Sequence, residues 1–327
     1  MKELFKQLDE NINSHDEIVI MTHARSDLDG MGSAICLSEI VSFMGKKCCI
    51  VKPYEKINRS LKKAFKYLES NNIEIKFKSE EEILNDNGNK LLIIVDTQKR
   101  DFVESEKVLN SICDKIVIDH HIDGIDSICD VIYKYNDINK SSVVEIMGEY
   151  LNYLKLAFNP FIMTVMLGGM VTDTSSFSLK VTYKTFEVAS FLIKNGASMD
   201  SVGFMLKEPR EEMTDRYEFI KNSKEVMNNV LLCQMDDKIH SNVDIAMLAK
   251  ELLKFENVKA SFAIGFLSKR VIGVSARSVN DINVGKIMES LGGGGRATDA
   301  ACQIKDKSIS EVALMVINAL KEEEKCE

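Results

Sequence analysis

The first half of the chain alternates short apolar runs with longer amphipathic stretches. The apolar runs, which are typical of buried strands, lie at 17–22, 47–51, 73–77, 91–95 and 115–118. The stretches with helical spacing lie at 30–44, 60–71, 100–111, 141–153 and 160–171. Continuous apolar strands that alternate with helices form parallel sheets with both faces covered. The pattern therefore predicts an α/β fold whose N-terminal domain contains a mostly parallel sheet.

The pattern in the middle of the chain predicts helices. Between 185 and 229 the apolar positions keep helical spacing, with Gly196 as a helix stop and Pro209 as an interruption. We predict a helical linker over 191–229.

The last part of the chain has a mixed pattern. Two β-like runs, 260–266 and 271–277, are joined by the polar letters LSKR, which predicts a hairpin. Helical stretches at 284–291 and 309–324 lie on either side of a run of glycines. The pattern predicts a smaller α+β domain at the C-terminus. The two predicted domains flanking the linker are 1–190 and 230–327.

The composition is that of a globular protein with ordinary cores. Of the 327 residues, 45% are hydrophobic and 28% are charged, and the length suits two domains. The net charge of -8 argues against an extended basic surface that binds long nucleic acid, although a few local cations could hold a small anion. No apolar run reaches the roughly 18 residues that span a membrane, and the N-terminal stretch lacks the pattern of a signal peptide. We expect a cytoplasmic protein without membrane contact.

Aspartate and histidine gather in four short segments, three of which directly follow a predicted strand. These residues are His23, Asp27, Asp29, Asp96, Asp119, His120, His121 and Asp173. A single aspartate after a strand is usually a helix cap or part of a turn. Four such segments, two of them with histidine, favour one shared site, because ligands bind beyond the carboxyl ends of parallel strands. Carboxylates so close together would repel one another unless metal ions supplied positive charge.

The donor types of this cluster restrict the metal. Carboxylate and imidazole without thiolate favour a hard or borderline ion. Magnesium prefers oxygen donors, so the histidines favour Mn²⁺, with Mg²⁺, Fe²⁺, Co²⁺ and Zn²⁺ as alternatives. The candidate ligands suffice for two ions, as in many phosphoryl-transfer sites, and one carboxylate would then bridge them.

A second candidate site lies towards the C-terminus. It consists of Arg277, Gly292, Gly293, Gly294, Gly295 and Arg296. Glycines let the backbone approach a ligand and direct N–H groups at an anion, and arginine matches phosphate oxygens. The alternative is a flexible loop or a helix end, with the arginines in solvent. We interpret these residues as a substrate-binding element.

In their order and spacing, these motifs resemble those of the DHH phosphoesterase superfamily over nearly the whole chain. The namesake motif corresponds to Asp119-His120-His121, and the glycine run resembles the mark of the DHH-associated substrate-binding domain. The resemblance implies that residue Asp96 bridges two metal ions, that His121 contacts the substrate phosphate or transfers a proton, and that Asp119 orients the histidines. The metal ligands implied by the resemblance are His23, Asp27, Asp29, Asp96, His120 and Asp173.

The stretches TDTSSFSLKVTYKTFEVASFL and INVGKIMESLGGGG resemble the catalytic half of cyclic-di-AMP phosphodiesterases. The resemblance implies a Mn²⁺-dependent enzyme that hydrolyses cyclic-di-AMP or linear pApA to nucleotide monophosphates, and it is compatible with a homodimer. One alternative is a nano-RNase, an oligoribonuclease that also removes phosphate from 3′-phosphoadenosine 5′-phosphate (pAp). Another is a non-catalytic nucleotide-binding module, which Arg296 suggests because the family has histidine at that position.

Overall fold

The structure, a computed structural model, describes residues 1–54, 57–86, 88–122, 126–279 and 282–326. These residues form two compact units, Met1–Lys207 and Glu208–Glu327. The division between the units falls inside the segment 191–229 that the helical pattern predicts as a linker.

The first unit is built on a six-stranded sheet. Its strands are β1 (Glu17–Met21), β2 (Lys47–Val51), β3 (Phe77–Lys78), β4 (Lys90–Val95), β5 (Asp114–Asp119) and β6 (Tyr133–Asn136). They pair in parallel in the order β3-β2-β1-β4-β5-β6, which confirms the predicted parallel sheet. Strand β6 has the sequence YKYN and is half-buried throughout, so it lacks the apolar run that would predict it.

Both faces of this sheet are buried. On β1, Ile18 and Ile20 belong to one hydrophobic core, while Val19 and Met21 belong to another. Side chains alternate between the two faces along a strand, so a strand that is covered on both sides needs apolar residues at every position. This accounts for the continuous apolar runs in the sequence.

Nine α-helices accompany the sheet in the described part of the first unit. They are α1 (Lys2–Ser14), α2 (Leu28–Phe43), α3 (Arg59–Ser70), α4 (Glu80–Leu84), α5 (Glu106–Ser111), α6 (Val143–Leu154), α7 (Pro160–Asp173), α8 (Tyr183–Lys194) and α9 (Met199–Leu206). Helices α2 and α7 pack closely at Gly169 of α7. A Cβ on this glycine would lie only 2.8 Å from the Cα of Asp29 on α2. This contact brings the start of α2 near Asp173, the last residue of α7.

The helix predicted over 100–111 is wrong in its first half. A separate 3-10 turn spans Arg100–Phe102, and α5 begins only at Glu106. The reason is a cap, since the Ser105 hydroxyl accepts a hydrogen bond from the N–H of Val108 at 3.1 Å.

The second unit is a mixed sheet with helices. Its strands are β7 (Lys224–Met227), β8 (Val230–Ile239), β9 (Ala260–Ser268), β10 (Val271–Ser278), β11 (Gly294–Gly295) and β12 (Asp299–Lys305). Its helices are α10 (Arg210–Lys221), α11 (Asn242–Leu252), α12 (Val284–Ser290) and α13 (Ile309–Cys326). The sheet order is β11-β12-β10-β9-β8-β7, with β8 and β9 parallel and the other neighbours antiparallel.

Two expectations about this unit have clear outcomes. The hairpin of β9 and β10 is confirmed. The helical pattern predicted as far as residue 229 is wrong after Lys221, because the chain leaves α10 there and β7 pairs with β8. Among the described residues of both units, no helix combines the length and the apolar character needed to cross a membrane.

Candidate metal centre

The candidate ligands lie together beyond the carboxyl ends of neighbouring parallel strands. Asp96 follows β4, which lies between β1 and β5 in the sheet. Three groups of side chains each hold their ligand atoms within 4.8 Å of one another. The groups are His23, Asp27 and Asp96; Asp96, His120 and His121; and Asp29, His120 and Asp173. The structure thus brings all six predicted ligands, and His121, into one cluster.

Asp96 lies at the centre of this cluster. Its Oδ2 is 3.4 Å from Nε2 of His23, and its Oδ1 is 3.5 Å from Nε2 of His120. Its backbone is in the left-handed region, with φ of 65°, which costs free energy for a residue other than glycine and is frequent at functional sites. Burial acts to raise the pKa of Asp96, but the neighbouring imidazoles of His120 and His23 outweigh it and hold the pKa below its ordinary value.

His23 and His120 turn the same ring nitrogen towards the carboxylates. The Nδ1–H of His23 donates to the carbonyl of Ala24 at 2.9 Å, and that of His120 donates to the carbonyl of Lys140 at 3.2 Å. The Nε2 of His120 lies 3.3 Å from Oδ2 of Asp173. A hydrogen bond from Nδ1 fixes the tautomer whose Nε2 carries the lone pair, which is how metal-ligating histidines are oriented.

The carboxylates make both imidazoles strongly basic. Burial lowers the pKa of His23, but Asp27 and Asp96 raise it to about 11. Burial also lowers the pKa of His120, but Asp173 and Asp96 raise it to about 11. Burial raises the pKa of Asp173 to about 6, although His120 acts in the opposite direction. The raised pKa values of the two rings thus come from the carboxylates that surround them.

Two atoms at its centre have unsatisfied bonding capacity. Oδ1 of Asp96 and Nε2 of His120 are buried, and neither has a well-aligned hydrogen bond among the described residues. A buried polar atom without a partner costs about 1–3 kcal/mol, so such atoms usually bind an ion or water. A divalent cation would accept a lone pair from Oδ1 of Asp96 and, once the His120 ring has released its Nε2 proton, a lone pair from that nitrogen as well. The residues present therefore fit a divalent metal.

Asp29 also anchors a helix that is distant in sequence. Its Oδ2 accepts from the N–H of Val143 and its Oδ1 from the N–H of Val144, both at 2.8 Å, at the start of α6. Burial and the neighbouring Asp96 raise the pKa of Asp29 well above its ordinary value. The sequence did not reveal this contact, because Val143 lies 114 residues further along the chain.

Asp119 contacts both histidines of the namesake motif. Its Oδ1 accepts from the backbone N–H of His120 at 2.8 Å, from that of His121 at 3.2 Å, and from Nδ1 of His121 at 2.7 Å. The side chain of His121 is 40% exposed, whereas that of His120 is 3% exposed. Of these two histidines, His121 is thus the one that an incoming ligand can reach.

An open groove of about 640 Å³ in the second unit contains most of the predicted substrate-binding residues. Arg277 and the four glycines, Gly292 to Gly295, line it. Gly293 is required by packing, since a Cβ there would lie 2.2 Å from the carbonyl oxygen of Ala301. Gly294 differs, because nothing in the described chain lies within 4 Å of its added Cβ. A Cβ on Gly295, whose φ is 149°, would lie 2.4 Å from the Cα of Ala300, and Gly292 has a φ of 80°. The glycine run therefore serves the fold at three positions and leaves open space at Gly294.

The two predicted arginines have different surroundings. Arg277 Nε lies 2.9 Å from Oδ1 of Asp299, a groove residue that the sequence analysis missed. Burial lowers the pKa of the Arg277 guanidinium, and Asp299 opposes the shift. The half-buried Arg296 is not among the residues that line the groove. Its backbone N–H donates to the carbonyl of Asp299 at 2.7 Å.

Comparison with known proteins assigns a domain family to each unit. Residues 17–170 match the DHH family, N-terminal domain, and residues 227–323 match the DHHA1 domain. The chain is a DHH–DHHA1 protein. Its metal-site segments up to the namesake motif lie in the first match and its glycine run lies in the second.

The relatives of this DHH–DHHA1 protein include two curated enzymes. It is 33% identical over 325 residues to the cyclic-di-AMP phosphodiesterase GdpP of Bacillus subtilis. The aligned region covers 96% of this chain and 49% of GdpP. The chain therefore spans about half the length of that relative. It is 26% identical over 227 residues to the probable bifunctional oligoribonuclease and PAP phosphatase NrnA of Streptococcus mutans. That aligned region covers 67% of each protein.

The fold of the chain has a solved counterpart. A crystal structure of an exopolyphosphatase-related protein from Bacteroides fragilis matches with a TM-score of 0.82 at 17% identity. The match covers 98% of this chain and 96% of the other. This likeness confirms the fold class.

Proposed function

We propose that this DHH–DHHA1 protein is a Mn²⁺-dependent phosphodiesterase with two metal ions. Its substrate is a small nucleotide, cyclic-di-AMP or the linear dinucleotide pApA, and its products are nucleotide monophosphates. The observation that carries the proposal is the cluster around Asp96 and His120, whose unsatisfied buried atoms fit a divalent cation. The identity of 33% to a cyclic-di-AMP phosphodiesterase supports the substrate class.

The ligands divide into two sets that share Asp96. The first set is His23, Asp27 and Asp96. For the second set we combine Asp29, His120 and Asp173 with Asp96, whose Oδ1 lies 3.5 Å from Nε2 of His120. Mixed nitrogen and oxygen donors without thiolate favour Mn²⁺ over Mg²⁺, with Co²⁺ and Fe²⁺ as further candidates. Bound ions would supply positive charge to the phosphate oxygens and lower the pKa of a nearby water.

His121 is the residue that we assign to the reacting phosphate. Its Nδ1–H is held by Asp119, which leaves Nε2 to accept a proton or contact a phosphate oxygen. Asp119 orients His121 and would stabilise the imidazolium if the ring takes up a proton. In the second unit, we assign Arg277 and the glycine run, which line the groove, to substrate binding. Arg296 belongs to this assignment because it directly follows the glycine run.

The main alternative is a nano-RNase that also acts on pAp. The similarity to NrnA favours it, since that relative is named as an oligoribonuclease and PAP phosphatase. Both functions need the same metal chemistry and differ only in how the substrate is recognised.

A substrate panel tests the proposal. Metal-free protein is supplied with Mn²⁺, Mg²⁺ or Co²⁺ and assayed on cyclic-di-AMP, pApA, short RNAs, pAp and pyrophosphate, with His120→Ala as the matched inactive control. We expect Mn²⁺-dependent turnover, fastest on cyclic-di-AMP or pApA. Fastest turnover of short RNAs together with pAp would favour the alternative. Full activity without metal would reject the mechanism, and tight nucleotide binding without any turnover would indicate a binding module.

A further inference from the structure

Residues 140–144 connect two predicted metal ligands that come from different elements. The carbonyl of Lys140 accepts the Nδ1–H of His120 at 3.2 Å. The N–H groups of Val143 and Val144 donate to the carboxylate of Asp29, both at 2.8 Å. One short stretch of backbone therefore orients His120 and Asp29 at the same time.

The same stretch is held by a buried polar network around Glu145. One carboxylate oxygen of Glu145 accepts from Nζ of Lys140 at 3.0 Å. The other accepts from the N–H and hydroxyl of Ser141, at 3.2 and 2.6 Å, and from the hydroxyl of Thr185 at 2.8 Å. Lys140 also donates to Glu149 at 2.8 Å. The side chains of Glu145 and Lys140 are 1% and 10% exposed, so water contributes little to this arrangement.

Such a network is poorly explained by stability alone. Removing charges from water costs free energy that a buried ion pair regains only with good geometry, and apolar side chains of similar size often serve a fold equally well. A contrasting pair is Lys115 and Asp130, whose charged atoms lie 2.9 Å apart with the lysine side chain 5% exposed. Among the described residues, Lys115 makes no hydrogen bond to a predicted ligand. Of these two ion pairs, the one that contains Glu145 belongs to the stretch that contacts predicted metal ligands, as far as the described residues show.

We infer that Lys140, Glu145 and Thr185 are positioning residues that set the geometry of the metal centre without touching metal or substrate. Glu145 fixes the backbone so that the Lys140 carbonyl faces the ring of His120. Thr185 extends the network to the start of α8, where its hydroxyl also accepts from the N–H of Thr182 at 3.0 Å. The inference deepens the proposed function and rests on it for the metal.

Metal affinity tests the inference independently of turnover. Thr185→Val removes the hydroxyl at nearly constant volume, and Lys140→Met removes the charge but keeps the backbone carbonyl. We expect each to weaken Mn²⁺ binding about tenfold or more in titration calorimetry. Each should also change the visible absorption of the Co²⁺-loaded protein.

The controls separate positioning from general damage. Thr185→Ser keeps the hydroxyl and should restore both the Mn²⁺ affinity and the Co²⁺ spectrum. Lys115→Met also removes a buried lysine from an ion pair, and it should leave both measurements unchanged.

Two outcomes would overturn the inference. If Thr185→Val and Lys140→Met lower the Tm of the metal-free protein but bind Mn²⁺ with wild-type affinity, the network is only structural. If the wild-type protein itself binds no Mn²⁺, the metal centre fails and the inference fails with it. Circular dichroism checks that the metal-free variants fold, and should Lys140→Met not fold, the Thr185 pair decides.

Discussion

Oδ1 of Asp96 lies 3.5 Å from Nε2 of His120, and neither atom has a hydrogen bond within the described part of the chain. Asp96 directly follows β4 and His120 directly follows β5, and these two strands are neighbours in the parallel sheet. Their separation is therefore set by strand pairing and not by the local chain. Two unsatisfied buried atoms that face each other in a carboxylate cluster support a cation-binding site at this position.

His120→Ala is expected to lower kcat/KM on every substrate by at least about 100-fold, because a metal ligand matters at least as much as the groups that orient it. The measurement is Mn²⁺-supported turnover, with circular dichroism to show that the fold persists. Turnover close to that of the wild-type protein would exclude His120 as a ligand.

Asp29→Ala should reduce stability in addition to activity. Two backbone N–H groups at the start of α6 lose their acceptor, and each unsatisfied buried donor costs about 1–3 kcal/mol. Asp173→Ala is the matched control, because it also removes a carboxylate of raised pKa but no acceptor of a backbone N–H among the described residues. Urea denaturation of the metal-free variants should show Asp29→Ala to be less stable by about 2 kcal/mol or more. Equal stabilities would contradict the capping role.

Metal binding should release protons. The pKa of about 11 for His23 and His120 means that both rings are protonated near neutral pH in the metal-free protein. Imidazole binds metal only in its neutral form, so binding should release about two protons and grow tighter as pH rises from about 7 to 9. Below about pH 6 protonation of Asp173 should weaken binding further. Calorimetry in two buffers with different ionisation enthalpies counts the protons, and a count of zero would argue against both histidines as ligands.

The glycine run allows a paired test. Gly293→Ala should destabilise the protein by about 1–3 kcal/mol, since its Cβ would lie 2.2 Å from a backbone oxygen. Gly294→Ala should leave the Tm unchanged because that position meets open space. Gly294 lines the groove, however, so a methyl group added there should hinder the substrate and raise its KM. An unchanged KM for Gly294→Ala would mean that the substrate does not approach this part of the groove.

Arg296→His tests the choice of substrate. Arginine is always charged, so it should favour a substrate with a terminal phosphate, such as pApA or pAp, over a cyclic diester. A charge-assisted hydrogen bond contributes about 1.5–3 kcal/mol, so the variant should shift relative kcat/KM towards cyclic-di-AMP by about one to two decades. Metal dependence should not change. An unchanged ratio would show that Arg296 does not contact the distinguishing phosphate.

The pattern of apolar residues was sufficient to predict β1, β2, β4 and β5 of the parallel sheet and the hairpin of the second unit. The strand predicted at 73–77 is wrong except at Phe77, where β3 begins, and β6 was not predicted. Strands buried on both faces require continuous apolar runs, and such runs are easy to recognise. Strand β12 shows where this signal fades. It alternates buried and exposed residues, but two of its buried positions are only Ala300 and Cys302. Small side chains contribute little to an alternating hydrophobic pattern, so the sequence alone did not predict this strand.

The sequence by itself determined which residues could bind metal, because aspartate and histidine follow the predicted strands. The tertiary structure decided how they are held. The contact of Asp29 with α6 joins residues 114 positions apart, and the carbonyl that orients His120 belongs to a lysine 20 positions further on. Every residue has a backbone carbonyl and every residue except proline has a backbone N–H, so the residue types do not reveal which of these groups makes a distant contact. Such contacts therefore exist only once the sheet and the packing of α2, α6 and α7 have brought the segments together.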